Sequence, residues 1–273
     1  MSLHSVAKSL CPPLLASSLK RLSGKGLRFD GSPDNWAEAL RMSSGYSHAD
    51  ILAKVIEATR EVVSGRAAYE RDSVLFYEPA VPFQTVSTLL RSAVRDGGRL
   101  EVIDFGGSLG STYRQCRPFL AGLQRLQWHV IEQASFVDAG RAEFSSAELH
   151  FHRSIDEVPA VATPFTFIFS SVLQYLEHPY DVIGRLHTIP GRHLMIDRST
   201  LSNQQLDRLC IQHAPKNVYR ASYPCWILSR DKLLALLSPH WQLLGDFQSP
   251  EALQRTADGL QFQFRGLIFE RRL

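Results

Sequence analysis

The chain has 273 residues, 44% of them hydrophobic and 21% charged, with a formal net charge of +3 at pH 7. This length and composition fit one sizeable α/β domain with a smaller appendage, and no apolar run is long enough to span a bilayer. The weak and scattered positive charge lacks the basic stripe of a nucleic-acid-binding protein, so nucleic acid is not an expected partner.

The first 24 residues differ in composition from the rest of the chain. Leucines and other apolar residues are interspersed with basic ones and interrupted by Cys11-Pro12-Pro13. The segment therefore lacks the uninterrupted apolar core of a secretory signal. Two interpretations stay open: a tail or helix belonging to its own domain, and a basic amphipathic helix that makes a peripheral contact with an anionic membrane surface.

Residues 25–96 are predicted to form a helical cap. Ser32-Pro33 offers an N-cap with proline at the first helical position, and Ser47-x-x-Asp50 is a capping box. Apolar residues at helical spacing follow both signals. A third apolar segment, 81–94, leads into the first strand of a domain that spans 97–273.

From Leu100 onward, strand and helix patterns alternate. This order predicts a mostly parallel sheet covered by helices on both faces. Two strand-like runs, 241–247 and 260–269, then close the chain as an antiparallel pair. The other predicted strands are 100–105, 127–132, 149–153, 165–171 and 193–197. The predicted helices of this part are 110–122, 134–144, 178–188, 202–212 and 230–238.

The cysteines indicate the cellular compartment. Cys11, Cys116, Cys210 and Cys225 form no CxxC pair. Their small number is typical of reduced thiols in a cytosolic protein, so we predict a cytoplasmic location. Cys210, Cys225 and His213 lack a fourth ligand at a suitable spacing, and no metal site is predicted.

The most informative stretch is 100–110, an apolar run that ends in an acid and then a glycine-rich turn. It delivers Asp104 to the carboxyl end of a buried strand. Gly106, Gly107 and Gly110 let the backbone turn tightly and approach a ligand closely, because no Cβ stands in the way. A helix that starts just after the turn points free N–H groups at the same crevice, as in a nucleotide-type cofactor site.

Glu132 ends the next predicted strand. Parallel neighbours present their carboxyl ends at the same edge of the sheet, so Glu132 is expected beside the glycine turn. An acid at that place can accept hydrogen bonds from two ribose hydroxyls. A solvated strand-end glutamate is the alternative.

The fourth strand of the domain runs directly into Ser170-Ser-Val-Leu-Gln-Tyr-Leu-Glu-His-Pro179. A loop in this position faces the crevice at the carboxyl end of the sheet. Its order of polar, apolar and aromatic residues resembles that of class I S-adenosylmethionine-dependent methyltransferases, and the closing antiparallel pair resembles the terminal hairpin of that fold. The resemblance implies a Rossmann-like, seven-stranded, mostly parallel sheet with a terminal antiparallel hairpin, preceded by a helical cap. It also implies S-adenosylmethionine as the cofactor.

Six further segments carry a narrower resemblance: Trp36 with Gly45-Tyr46, 68–73, 104–113, Glu132-Gln133, 170–175 and 196–198. They are similar to segments of a family of uncharacterised bacterial methyltransferases linked to surface-polysaccharide gene clusters. The similarity extends over residues 28–270. It implies methyl transfer to a saccharide or small polar metabolite of surface-glycan biosynthesis.

The resemblance also implies which residues hold the methyl donor. The glycine turn would surround the methionine end, Glu132 the ribose, and Val172 would lie beside the donor. The predicted cofactor-binding residues are Asp104, Gly106, Gly107, Ser108, Gly110, Glu132, Gln133, Ser154, Ile155, Ser171 and Val172.

Two of these residues depart from the methyltransferase pattern. Ser108 stands where the pattern has glycine, so the loop must differ locally or use the hydroxyl as a donor. Ser154 stands where an acid would meet the adenine amino group. The adenine contacts are therefore expected to differ from those of the general pattern.

Methyl transfer from an activated sulfonium mainly requires alignment of the acceptor and exclusion of water, and a hydroxyl acceptor also benefits from a general base. The candidate catalytic residues are His178, Asp197, Glu70 and Asp72. Each has a structural alternative: a helix cap at His178, an ion pair between Asp197 and Arg198, and a solvated helix face for Glu70 and Asp72. The predicted acceptor-binding residues are Tyr69, Arg71, Tyr113, Tyr175 and Arg198.

Two other classes of function stay open. An NAD-type oxidoreductase is disfavoured by the closing hairpin and by the loop after the fourth strand. A non-catalytic module that keeps the fold and binds glycan-synthesis partners at a membrane is left open by the departures at Ser108 and Ser154.

Overall fold

A computed structural model describes residues 27–44, 48–214, 221–249, 251 and 253–272. The segment 1–24, Gly45-Tyr46 and the capping residue Ser47 lie outside the described residues, as does Cys11. The strands are β1 (Arg28–Asp30), β2 (Tyr69–Arg71), β3 (Val74–Phe76), β4 (Arg99–Phe105), β5 (Arg125–Ile131), β6 (Leu149–His152), β7 (Phe165–Ser170), β8 (Gly191–Ser202), β9 (Arg208–His213), β10 (Ser222–Ser229), β11 (Trp241–Gln248), β12 (Gln254–Arg255) and β13 (Gln261–Arg271). The α-helices are α1 (Trp36–Met42), α2 (His48–Val63), α3 (Phe83–Arg95), α4 (Ser111–Cys116), α5 (Ala134–Ala139), α6 (Pro179–Arg185) and α7 (Arg230–Leu237).

The centre of the molecule is a parallel sheet with the strand order β6-β5-β4-β7-β8. The reversed strand β13 pairs antiparallel with β8 on one side and with β11 on the other. These seven strands form the Rossmann-like fold of class I methyltransferases, with its terminal antiparallel hairpin. The predicted fold class is confirmed.

A second set of strands extends the sheet beyond β8. The end of β8 pairs parallel with β10, which pairs antiparallel with β9, and β9 pairs with β1. The predicted helix over 202–212 is therefore wrong. Leu209 and Ile211 pack against Ala39 of α1, whereas Cys210 faces a different core cluster. Because both faces of β9 are buried, its apolar run has no alternation to distinguish it from a helix.

The cap contains the predicted helices, but α1 starts later than expected. Its N-cap is Asn35, whose side chain accepts the Glu38 N–H at 2.9 Å, and not Ser32 with Pro33 following. An asparagine oxygen satisfies the free N–H of the first turn as well as a serine hydroxyl does. The sequence correctly indicates a helix start in this segment, but the helix begins about one turn after the predicted position.

The helical prediction for 25–96 is also wrong at β1 and at the β2–β3 hairpin. The hairpin turns through Asp72 and Ser73, which have φ angles of +51° and +60°. Two consecutive left-handed residues are the geometry of a tight two-residue hairpin turn. The sequence Asp-Ser lacks the glycine that normally marks such a turn, so the sequence does not indicate the hairpin.

The hydrophobic core has two parts, one on each face of the central sheet. Val102 and Trp128 point toward α3 and α4, and Phe167 and Ile196 point toward α6 and α7. Alternating side chains along each strand supply both parts, because successive residues face opposite sides. The sheet is therefore fixed from both faces up to the carboxyl ends of its strands.

Among the described residues, no helix has the length and apolar character needed to cross a membrane. Cys116, Cys210 and Cys225 are buried free thiols. In the same part of the chain, no group of three histidine, cysteine or acidic residues has the geometry of a metal site.

We expect Phe167→Ala to lower the free energy of unfolding by about 3–5 kcal/mol, because a fully buried ring is lost and a cavity is left in the sheet. Leu206→Ala removes a side chain that is 80% exposed, and is expected to change stability by less than about 0.5 kcal/mol. Urea denaturation of both variants measures the difference. Equal stabilities would contradict this assignment of the core.

Candidate active site

The carboxyl ends of β4, β5 and β7 and the middle of β8 meet at one edge of the sheet, in what we call the crevice. Backbone strain points to this crevice independently of the motifs. In the described residues, the non-glycine positions with positive φ are Asp72, Ser73, Ser108, Ser171 and Arg198. All belong to the glycine loop, to the strand segments beside it, or to the hairpin tip that contacts Arg198. Strained backbone of this kind concentrates at functional sites.

Asp104 lies at the end of β4 and is 1% exposed. The Trp128 indole N–H donates to its Oδ2 at 3.1 Å, whereas Oδ1 has no hydrogen-bond partner among the described residues. Burial and, to a smaller extent, the negative charge of Glu132 raise the pKa of Asp104 from its ordinary 3.8 to about 7, against the lowering effect of the Trp128 hydrogen bond. Among the described residues, no basic side chain forms an ion pair with this carboxylate.

The glycine loop needs its glycines for space. Gly106 has a φ of +72°, and a Cβ there would lie 2.5 Å from Cγ2 of Val172. A Cβ at Gly107 would lie 2.6 Å from the carboxyl carbon of Asp104. Both distances are shorter than any real contact. The loop therefore runs over Asp104 with no room for a side chain, as close approach to a ligand requires.

Ser108 is the first departure from the expected pattern. Its φ of +56° lies in the left-handed region, which glycine adopts easily and serine adopts less often. Its N–H donates to Glu132 Oε1 at 3.3 Å, and Glu132 Oε2 accepts the Gln133 N–H at 2.8 Å. Burial raises the pKa of Glu132, and these two backbone hydrogen bonds oppose that rise. The glycine loop and the end of β5 are thereby joined.

Ser154 and Ile155 line an apolar cavity of about 140 Å³ that is open to solvent on one side. Phe105 and Ile131, the last residues of β4 and β5, form its inner wall. The cavity is therefore next to the glycine loop and Glu132. Its full lining is Phe105, Ile131, Arg153, Ser154, Ile155, Val182, Arg185 and Leu186.

Glu70 lies in the hairpin and is buried, so the alternative of a solvated helix face is wrong for it. It accepts a hydrogen bond from the hydroxyl of Ser111, the first residue of α4 after the glycine loop, and another from the Ser73 N–H at 3.1 Å. Burial raises the pKa of Glu70. This residue attaches the hairpin to the glycine loop.

Asp72, Asp197, Arg198 and Glu251 form what we call the Arg198 cluster. The Arg198 guanidinium contacts Asp72 at 3.3 Å and Glu251 at 3.2 Å. Asp197 Oδ1 accepts the Arg198 backbone N–H at 2.8 Å and the Ser249 hydroxyl at 3.4 Å. The hairpin, the middle of β8 and the segment after β11 thus converge at one place beside the crevice. The expected Asp197–Arg198 pair is a backbone hydrogen bond, and the guanidinium binds other carboxylates.

Ser171 and Val172 follow β7 and lie at the crevice. The Ser171 N–H donates to the Asp197 carbonyl at 2.9 Å, which joins the end of β7 to the middle of β8. Val172 packs against Gly106. Gly110 precedes α4 with a φ of +89° and completes the loop.

The predicted aromatic residues are packed into the protein. Tyr113 is in the core, with its hydroxyl donating to Glu148 at 2.9 Å. The Tyr175 hydroxyl donates to Gln212 at 3.0 Å. Tyr69 stacks on Phe76 within the hairpin, with ring centroids 4.5 Å apart, and the Arg71 guanidinium lies 5.9 Å from the Tyr69 ring.

His178 lies on the surface. Its side chain is 70% exposed, and the nearest acidic side chain is Glu177, at 3.9 Å. It is the N-cap residue of α6 but makes no side-chain capping hydrogen bond. The structure does not bring it to the Arg198 cluster.

Several side chains that contact the predicted site residues are not predicted from the sequence: Trp128, Ser111, Gln174, Ser249 and Glu251. Gln174 lies inside the loop that carried the resemblance, so its position was a usable signal. Trp128 and Glu251 reach the crevice through pairing between distant parts of the chain. No local pattern marks them.

No protein-family model and no curated protein matches the chain. Among solved structures, it is similar to the N-terminal domain of EvdMO1, crystallised in the presence of SAH and D-fucose, with 11% identity and a TM-score of 0.45 over 84% of this chain and 98% of that chain. It is also similar to the 1,6-didemethyltoxoflavin-N1-methyltransferase of Burkholderia thailandensis, with 13% identity and a TM-score of 0.40 over 84% of this chain and 92% of that chain. A third is the magnesium protoporphyrin IX methyltransferase of Synechocystis PCC 6803, with 14% identity and a TM-score of 0.43 over 83% of this chain and 92% of that chain.

The raised pKa of Asp104 predicts a pH-dependent stability. Because the folded state holds this proton more tightly than the unfolded state, the stabilisation is fully present below pH 3.8 and is lost as the pH rises through about 7. Asp104→Asn, which cannot titrate, should lose less stability than the wild type between pH 5 and pH 8. Chemical denaturation at both pH values measures this, with the exposed Glu78→Gln as the control. Parallel losses in all three proteins would refute the assignment.

Proposed function

We propose that the protein is an S-adenosylmethionine-dependent methyltransferase that acts on a small polar acceptor. The observation that carries the proposal is the junction of Asp104, the glycine loop and Glu132 at adjacent strand ends, beside an apolar cavity. Open α/β sheets bind nucleotide-type ligands at this place. The carboxylate of Asp104 and the bare backbone at Gly106 and Gly107 also suit this donor chemically.

The donor would be held by three parts of the crevice. Glu132 would accept hydrogen bonds from the ribose hydroxyls, and the cavity lined by Ser154 and Ile155 would take the adenine. Gly106 and Gly107 leave room for the methionine end. The ionised Asp104, which forms no ion pair with a described basic side chain, matches the cationic ammonium of that end. Gly110, Ser108, Gln133, Ser171 and Val172 complete the proposed donor site.

When bound, S-adenosylmethionine supplies a methyl group already activated by its sulfonium. The chain itself then has to align the acceptor and exclude water. Asp197, whose pKa is raised by burial, is the candidate general base in the crevice. Glu70 has the role of a positioning residue, because it contacts Ser111 at the start of α4.

The finer features of the proposal come from the family resemblance. We propose a cap over 25–96 and a donor-binding domain over 97–273, with an acceptor that is a saccharide or small polar metabolite of surface-glycan biosynthesis. A cytoplasmic location, with a peripheral membrane contact through residues 1–24, belongs to the same proposal. Tyr69, Arg71, Tyr113 and Tyr175 remain proposed acceptor-binding residues, and His178 a proposed catalytic residue, on the sequence alone.

The departure at Ser108 left open a non-catalytic module, but its geometry does not call for one. The residue has the left-handed φ that glycine adopts easily, and its N–H donates to Glu132. The antiparallel pairing of β11 with β13 disfavours an NAD-type oxidoreductase.

Asp104→Ala and Gly106→Val test the proposed donor site. Loss of a charged hydrogen-bonding group costs about 1.5–3 kcal/mol, so Asp104→Ala should weaken S-adenosylhomocysteine binding by about 10- to 100-fold. Gly106→Val should abolish binding, because its side chain fills the loop and meets Val172. Isothermal titration measures the affinities, and circular dichroism checks the fold.

Glu57→Gln, an exposed change on α2, is the matched control and should bind as the wild type does. Unchanged affinity in Asp104→Ala and Gly106→Val, both folded, would refute the site.

A further inference from the structure

The Arg198 cluster brings carboxylates together around one described guanidinium. Arg198 is already shared between Asp72 and Glu251. Among the described residues, Asp197 receives a backbone N–H and a long hydroxyl contact, and its basic neighbour is the same Arg198. Two carboxylates, those of Asp197 and Glu251, therefore depend on one described cation.

Two buried acceptor atoms without a hydrogen-bond partner in the described part of the chain give a second, independent indication that a group is missing from this cluster. Gln174 is 0% exposed, and its amide nitrogen donates to the Arg198 carbonyl at 3.1 Å and lies 3.4 Å from the Ser171 hydroxyl. Its Oε1 has no partner among the described residues, and neither does the buried Oε2 of Glu251. Both unmatched atoms are acceptors. Buried polar atoms are nearly always paired, so the missing group is a hydrogen-bond donor.

The raised pKa of Asp197 agrees with the shortage of positive charge in this cluster. Burial raises its pKa, and the neighbouring charge of Glu251 raises it further, against the influence of Arg198. A cation placed beside Asp197 would favour its ionised form.

We propose that the Arg198 cluster is a recognition subsite for a protonated amino group on the acceptor. An ammonium supplies both the positive charge and the N–H donors that Asp197, Glu251 and Gln174 lack. An anionic acceptor would have to displace Asp72 or Glu251 from Arg198. A neutral hydroxyl supplies a donor but no charge. The inference rests on the proposed function and adds the chemical class of its acceptor.

The test titrates the protein, saturated with S-adenosylhomocysteine, with amines and their neutral N-acetyl counterparts. The probes are glucosamine, putrescine and ethanolamine, each with its acetylated form. We expect at least one amine to bind, and its acetylated form to bind at least tenfold more weakly. Glu251→Gln should weaken the binding of that amine at least tenfold, as should Asp197→Asn. Glu57→Gln should leave it unchanged.

Titration of the same proteins with S-adenosylhomocysteine distinguishes a failure of the proposed subsite from a failure of the proposed function. Glu251→Gln should keep the wild-type affinity for this ligand. Wild-type protein that binds it but shows no preference for any amine overturns the subsite alone, as does an amine that binds wild type and Glu251→Gln equally. Wild-type protein that does not bind S-adenosylhomocysteine overturns the proposed function and the subsite together.

Discussion

The buried carboxyl of Asp104 is the constraint on which the rest of the crevice depends. The Trp128 indole holds it at the end of β4, and a side chain at Gly107 would overlap it. The loop above it must therefore be bare backbone, which turns back through left-handed residues to meet Glu132. Placing an under-compensated carboxyl at this depth raises its pKa and costs stability, a cost expected at a site for a cationic ligand.

The β2–β3 hairpin connects the two sides of the crevice. Glu70 attaches it to the start of α4, and Asp72 attaches its tip to Arg198. The glycine loop and the Arg198 cluster are therefore held by one short element from the cap. In the proposed function, such a link would position the acceptor relative to the glycine loop.

The sequence predicted the central fold well because its signals are local. Each parallel strand of the domain is a buried apolar run, and Asp104 and Glu132 meet because parallel strands end at a common edge. The wrong predictions occur where such local signals are absent. The run at 208–213 is buried on both faces and shows no alternation, and the hairpin turn at Asp72 lacks a glycine. Trp128, Gln174 and Glu251 act through long-range contacts, which no spacing along the chain encodes.

The central claim is that the crevice binds an S-adenosyl donor. Isothermal titration of the wild-type protein with S-adenosylhomocysteine, and separately with NAD, tests it most directly. The account predicts micromolar binding of S-adenosylhomocysteine and no heat with NAD. No heat with S-adenosylhomocysteine, or binding of NAD in its place, would contradict it.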